Sequence, residues 1–187
     1  MKNQLNQFFE KCKYCDFEII LRASYHEDIL EGCINFYDYD FNCGNEVKID
    51  LSYTHFFIFN TYDLDDLEYL ADHISSDIEY VASSYKNYCY DIAGLGTVVI
   101  IDNLNVKKDL ENINDKVKII KYFLAKIIKK LQTLGIGTLL LMSKAMNFNL
   151  TDSDRVILIN ELLDFNIIPI YQDCNDVILA RNLDYKI

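Results

Sequence analysis

The sequence predicts an α/β protein of the α+β kind, with a mixed central sheet, helices on both faces and extra strands on its N-terminal side. Three observations lead there. From Leu95 onward, apolar runs of strand length alternate with longer runs of helical period, in the order strand, helix, strand, helix, strand, strand. That order implies a right-handed crossover and helices packed on a sheet. In the first half, three consecutive runs are rich in β-branched and aromatic residues, and one segment between the two regions spaces its leucines as a helix does.

Taken in order, residues 1–14 are predicted to form a short helix. "FEIILRASY", "GCINFYDYDF" and "VKIDLSYTHFFIFNT" follow as strands, with Gly44 beside Asn45 as a hairpin turn between the last two. "TYDLDDLEYLADHISSDIEYVASSY" reads as one helix, because Leu64, Leu67, Leu70, Ile74, Ile78 and Val81 fall on one face and Thr61 or Asp63 can cap it. "LGTVVIIDNLNV" is a strand. "NDKVKIIKYFLAKIIKKLQTLG" is a basic amphipathic helix stopped at Gly135, and "GTLLLMSKAM" is an apolar strand. The segment from Thr151 or Asp152 is a further helix, and "IIPIYQDCNDVILARNL" gives two short strands about a "QDCND" turn.

With 187 residues, 51% of them hydrophobic, the chain is expected to bury one sizeable core in a single domain. No apolar run approaches the roughly 20 residues of a membrane span, and the N-terminus lacks the apolar core of a signal peptide, so a cytoplasmic protein is expected. Six cysteines are then expected as reduced thiols. Cys12 and Cys15 form a C-x-x-C unit, but Cys33 and Cys43 have nine residues between them, which is not a zinc spacing, and His26, His55 and His73 are scattered. No metal site is expected.

The net charge of −11 is uneven: residues 1–100 carry 18 Asp/Glu against 6 Lys/Arg, and residues 101–187 carry 11 against 12. Asp63, Asp65, Asp66, Glu68, Asp72, Asp77 and Glu79 concentrate on the segment read as one helix. A field of that sign repels phosphate and favours a basic protein partner. The tyrosines of "INFYDYDF" and "SYTHFFIF" suit a protein interface, since tyrosine supplies area and a hydrogen bond at low entropic cost. Lys116, Lys118, Lys121, Lys126, Lys129 and Lys130 give one helix a basic face, read as solvated or as pairing with the acidic half in a homodimer.

The order of elements in residues 95–183 resembles the GCN5-related N-acetyltransferase (GNAT) fold, and "INELLDFNIIPIYQDCNDVILARNL" is similar to that family's closing helix and hairpin. The resemblance implies acetyl-CoA held by a glycine-rich turn at the start of the long helix, and a tyrosine that protonates the departing thiolate. The sequence departs from that pattern. Val106, Glu111, Asn112, Asn114 and Asp115 occupy the turn, with no glycine among them and two acids where pyrophosphate would lie. Asn160 stands at the tyrosine position and Ser153 at the family's asparagine. The expectation is a GNAT-like scaffold without acetyl transfer and without a cofactor, acting as an acidic protein-binding module. One form is an inhibitor of a basic nucleic-acid-binding protein. The alternative is a divergent N-acetyltransferase using acetyl-CoA or another acyl-CoA.

Overall fold

The computed structural model describes residues 2–42, 45–61, 63–88, 96–107, 112–146, 150–174 and 176–183. The predicted turn residue Gly44 lies outside them. Among the described residues there are five α-helices, α1 (Lys2–Lys13), α2 (Leu64–Asp72), α3 (Ser76–Tyr88), α4 (Ile113–Thr133) and α5 (Asp152–Leu162). Seven strands, β1 (Asp16–Ala23), β2 (Ile29–Asn42), β3 (Asn45–Asn60), β4 (Thr97–Val106), β5 (Thr138–Met142), β6 (Ile168–Gln172) and β7 (Val177–Asn182), form one mixed sheet in the order β1-β2-β3-β4-β5-β7-β6. Only β4 and β5 are parallel, joined by the α4 crossover. The mixed α+β class read from the sequence is the class observed, and the arrangement is consistent with a GNAT-like fold.

Side chains alternate between two cores because successive strand residues point to opposite faces. Val99, Ile101, Leu139 and Leu141 pack with α1, α4 and α5. Val98, Ile100 and Leu140 pack with α2 and α3 on the other face. The central strands are therefore apolar on both sides, and helices do cover both faces. Lysines of α4 tie its neighbours down. Lys121 reaches Glu161 and Asp164 at 2.8 and 3.0 Å, Lys126 donates to the Cys12 carbonyl at 2.8 Å, and Lys130 lies 3.6 Å from the centroid of the Phe17 ring. Helix α4 ends before Gly135, whose φ of 78° glycine adopts without strain.

The segment read as one acidic helix is two. Helix α2 stops at the His73 cap, and the Ser75 hydroxyl accepts from the Ile78 amide at 3.3 Å to start α3. A serine that caps the next helix competes with continuation of the preceding one. Asp63, and not Thr61, is the cap of α2, its side chain accepting from the Asp66 amide at 2.8 Å. Helix α5 is capped by Thr151, with Asp154 completing a capping box. No helix of the described residues is long and apolar enough to cross a membrane.

Candidate functional site

A one-residue irregularity in β4 places the first functional side chain. His55 pairs with Asn103 and Phe56 with Ile101, so Asp102 has no partner opposite it on β3. Such a bulge bends the strand and re-aims its extra residue. On the other side of β4 the parallel ladder runs from Val98–Thr138 to Ile101–Leu141 and then breaks, resuming only as a bridge between Leu104 and Met146. Between those points the chain makes a one-turn 3-10 helix, Ser143–Ala145, and swings away from β4. The gap opens a cleft of about 380 Å³, lined by Asp77 and Tyr80 of α3, Asp102, Lys144, and Asp173 and Asp176 of the β6–β7 turn.

Asp176 is the structural centre of this cleft. Its Oδ1 accepts from the Ser143 hydroxyl, from the Lys144 amide at 3.3 Å and from the Val177 amide at 2.7 Å. Its side chain is only 2% exposed, yet Oδ2 has no hydrogen-bond partner among the described residues, and the Lys144 ammonium stands 3.9 Å from it. A buried carboxylate oxygen left in that state is costly and invites a donor. Asp173 is held by its own turn, accepting the Asp176 amide at 2.8 Å through Oδ1 and the Tyr80 hydroxyl at 2.7 Å through Oδ2. Burial, and then that carboxylate, push the Tyr80 phenol well above its ordinary pKa, so it is a fixed donor and a poor acid.

Asp102 continues the network across the sheet. His55 Nδ1 lies 3.0 Å from Asp102 Oδ2 and its Nε2 lies 3.0 Å from Glu31 Oε1, so one imidazole joins carboxylates of β2 and β4. Four aspartates thus face one ammonium in the cleft. At 4 Å each unit pair is worth about 1 kcal/mol in water and about 4 kcal/mol in a partly dry site. The arrangement can hold a cation that also donates hydrogen bonds.

The residues singled out in the sequence are distributed differently. Of the seven acids, Asp77 alone lines the cleft. Asp63 caps α2, while Asp65 and Glu68 grip Lys86, the Asp65 contact being 2.6 Å. Those hydrogen bonds raise the Lys86 pKa and lower that of Glu68. Asp66 and Asp72 are exposed and Glu79 is half-buried. At the start of α4, Asn112 accepts from the Asn114 amide at 2.9 Å through its side chain, and its carbonyl accepts from the Asp115 and Lys116 amides, both at 3.1 Å. Asp115 adds a carboxylate to the first turn. Val106 is buried and paired with Ser52, and Glu111 lies outside the described residues. Among the described residues of this turn, the amides of Asn114, Asp115 and Lys116 are all taken up by Asn112.

Asn160 is exposed and lines a separate hollow of about 390 Å³, which shares Asp173 and Asp176 with the cleft. Ser153 lies at the start of α5, its hydroxyl 3.1 Å from that of Thr151. A larger hollow of about 820 Å³ between α1, α4 and α5 is mainly apolar, with Phe9, Tyr122, Ile157 and Phe165, and its Lys121 is already doubly paired. Among the described residues no three His, Cys, Asp or Glu side chains are grouped to hold a metal ion, and Cys12, Cys15, Cys33 and Cys174 are in no disulfide.

Sequence reasoning missed Asp102, Asp173 and Asp176 as one group, and it discounted His55. The one local signal was "QDCND", whose two outer acids flank a turn. The chain matches no protein-family model and no curated protein compared with it.

Proposed function

We propose that the chain is a GNAT-like cytoplasmic protein that has given up acetyl transfer and acts as a binding module, taking a basic side chain of a protein partner into the Asp-lined cleft. One observation carries this reading. Asp176, whose buried Oδ2 has no hydrogen-bond partner among the described residues, lines a cavity together with three further carboxylates. A lysine or arginine head group supplies the missing donors and the missing charge together. The departures at Asn160, Ser153 and the α4 turn support the loss of chemistry, as does the fixed Tyr80 phenol. An inhibitor of a basic nucleic-acid-binding protein fits the same charge. Direct nucleic-acid binding does not, because phosphate would meet the cleft acids while Lys121, Lys126 and Lys130 are engaged internally.

The alternative of a divergent N-acetyltransferase draws on the same cleft, since an acceptor amine would also be welcome there. Calorimetric titration separates the two. Lysine amide should bind, more weakly as salt rises to about 0.5 M, where screening shortens to about 4 Å, and Asp176→Asn should abolish the binding. Acetyl-CoA should give no heat. Micromolar acetyl-CoA binding would sink the non-catalytic reading, and a lysine amide isotherm unchanged in Asp176→Asn would sink the cleft.

A further inference from the structure

The α2/α3 face of the sheet is covered at one end only. The cluster that these helices bury takes Ile29, Phe57 and Phe59 from β2 and β3 and nothing from β1, while α3 spreads over β4–β7. The remaining half of that face is built by strand register. Ile20, Cys33 and His55 lie abreast across β1, β2 and β3, as do Glu18, Asn35 and Tyr53, and Asp16 with Tyr37 and Asp50. Ile20 and Tyr39 are each 37% exposed on this face. A hollow of about 240 Å³ opens among Ile20, Arg22, Glu31, Cys33, Tyr53 and His55.

The bare face is preorganised. Lys48 lies 4.0 Å from the centroid of the Tyr37 ring and 2.9 Å from Glu18, Asn35 donates to the same Glu18 oxygen at 2.9 Å, and Tyr37 packs edge-on against Tyr39 at 5.5 Å. It is also acidic, with Asp16, Glu18, Glu31, Asp50 and Asp102 against Arg22 and Lys48. Two such faces repel each other, so a second copy of this chain is a poor occupant. The face is continuous with the cleft, because Glu31 lines the hollow, Asp102 lines the cleft and His55 joins them at 3.0 Å on each side.

We propose that this face is the rest of the docking surface, and that it receives an extended basic segment whose anchoring side chain enters the cleft. This rests on the cleft reading above. From β4 to β1 is three strand spacings, about 14 Å at about 4.8 Å each, which spans about four residues of extended chain. Tyrosines and Ile20 supply contact area along it, and the carboxylates set the sign of the partner.

The test compares lysine amide, which probes the cleft, with a nonapeptide alternating lysine and threonine, which probes the cleft and the face, by calorimetry on the full chain. The peptide should bind at least tenfold more tightly than lysine amide. Tyr39→Thr and, separately, Ile20→Lys should cut that gain at least threefold and leave lysine amide unchanged. If lysine amide binds but the peptide gains nothing, or keeps its gain in both variants, the docking face is wrong and the cleft stands. If the peptide's gain depends on Ile20 and Tyr39 while lysine amide does not bind, the face stands and the cleft falls. A dimer seen by sedimentation velocity and dispersed by Ile20→Lys assigns the face to a second copy and overturns the proposal.

Discussion

The start of α4 and the cleft beside β5 are both places where a strand gives way to another element, yet their polar groups are in opposite states. At α4 the amides are closed by Asn112, and a carboxylate sits on the helix start. At the cleft Oδ1 of Asp176 accepts three hydrogen bonds, while its buried Oδ2 has no hydrogen-bond partner among the described residues. The first site would have to break its own bonds to admit an anion. On the proposed function, the second would gain bonds from a cation that reached Oδ2. Satisfaction of buried polar groups, more than the shape of a hollow, distinguishes the two places.

The largest expected effect breaks the cleft side of that contrast. Asp176→Ala removes the acceptor of three donors and should cost about 2–4 kcal/mol, lowering the melting temperature by roughly 5–15 °C. Asp176→Asn keeps an acceptor at Oδ1 and should melt close to wild type in calorimetry. Equal losses in the two variants would mean that Oδ2 is not the open position. Next is Arg181, only 2% exposed, whose three guanidinium nitrogens have no hydrogen-bond partner among the described residues. It lines none of the hollows described above, so the open valences serve no ligand there. Arg181→Met should raise stability by about 1–3 kcal/mol, read from denaturant unfolding, and a loss would show that the guanidinium is engaged after all.

Smaller effects sharpen the α4 side. Asn112→Ala frees the amide of Asn114 and should cost about 1 kcal/mol by chemical denaturation. A null result there would leave the turn less self-sufficient than its geometry indicates. The smallest effect is global. The pKa of Glu68 is lowered by Lys86 and Ser83, that of Glu18 by Lys48 and Asn35, and that of Asp154 by the Thr151 backbone and hydroxyl. Groups with depressed folded pKa values stabilise above their unfolded pKa, about 4 for carboxylates, and that contribution disappears as pH falls through the folded value. The melting temperature should be level from about pH 7 to 5 and decline below, less steeply in Glu68→Gln; an acid limb identical in that variant would remove Glu68 from the account.

Legibility in the sequence followed the range of the interaction. Thr151 and Asp154 box the start of α5 within four residues, and the leucines of β5 announce a doubly buried strand, so both were readable. The break between α2 and α3 was hidden because the apolar spacing of Leu64 to Val81 runs through it, and only the Ser75 hydroxyl decides against continuity. The cleft was not readable. Asp102 and Asp176 are brought together by sheet order, and His55 meets Glu31 and Asp102 only through strand register. A pattern of single residues 24 and 47 positions from His55 leaves no local trace.

The extra residue in β4 has a consequence for descent. Because opposed residues share a face, deleting position 102 would regularise the ladder with β3 while Asn103 to Val106 keep their present partners, whereas replacing Asp102 would leave the bulge in place. A lineage can therefore lose this cleft by a single codon deletion that spares every one of its other residues. When diverged copies of this chain are compared, a gap at that point marks the loss of the bulge and of its carboxylate together.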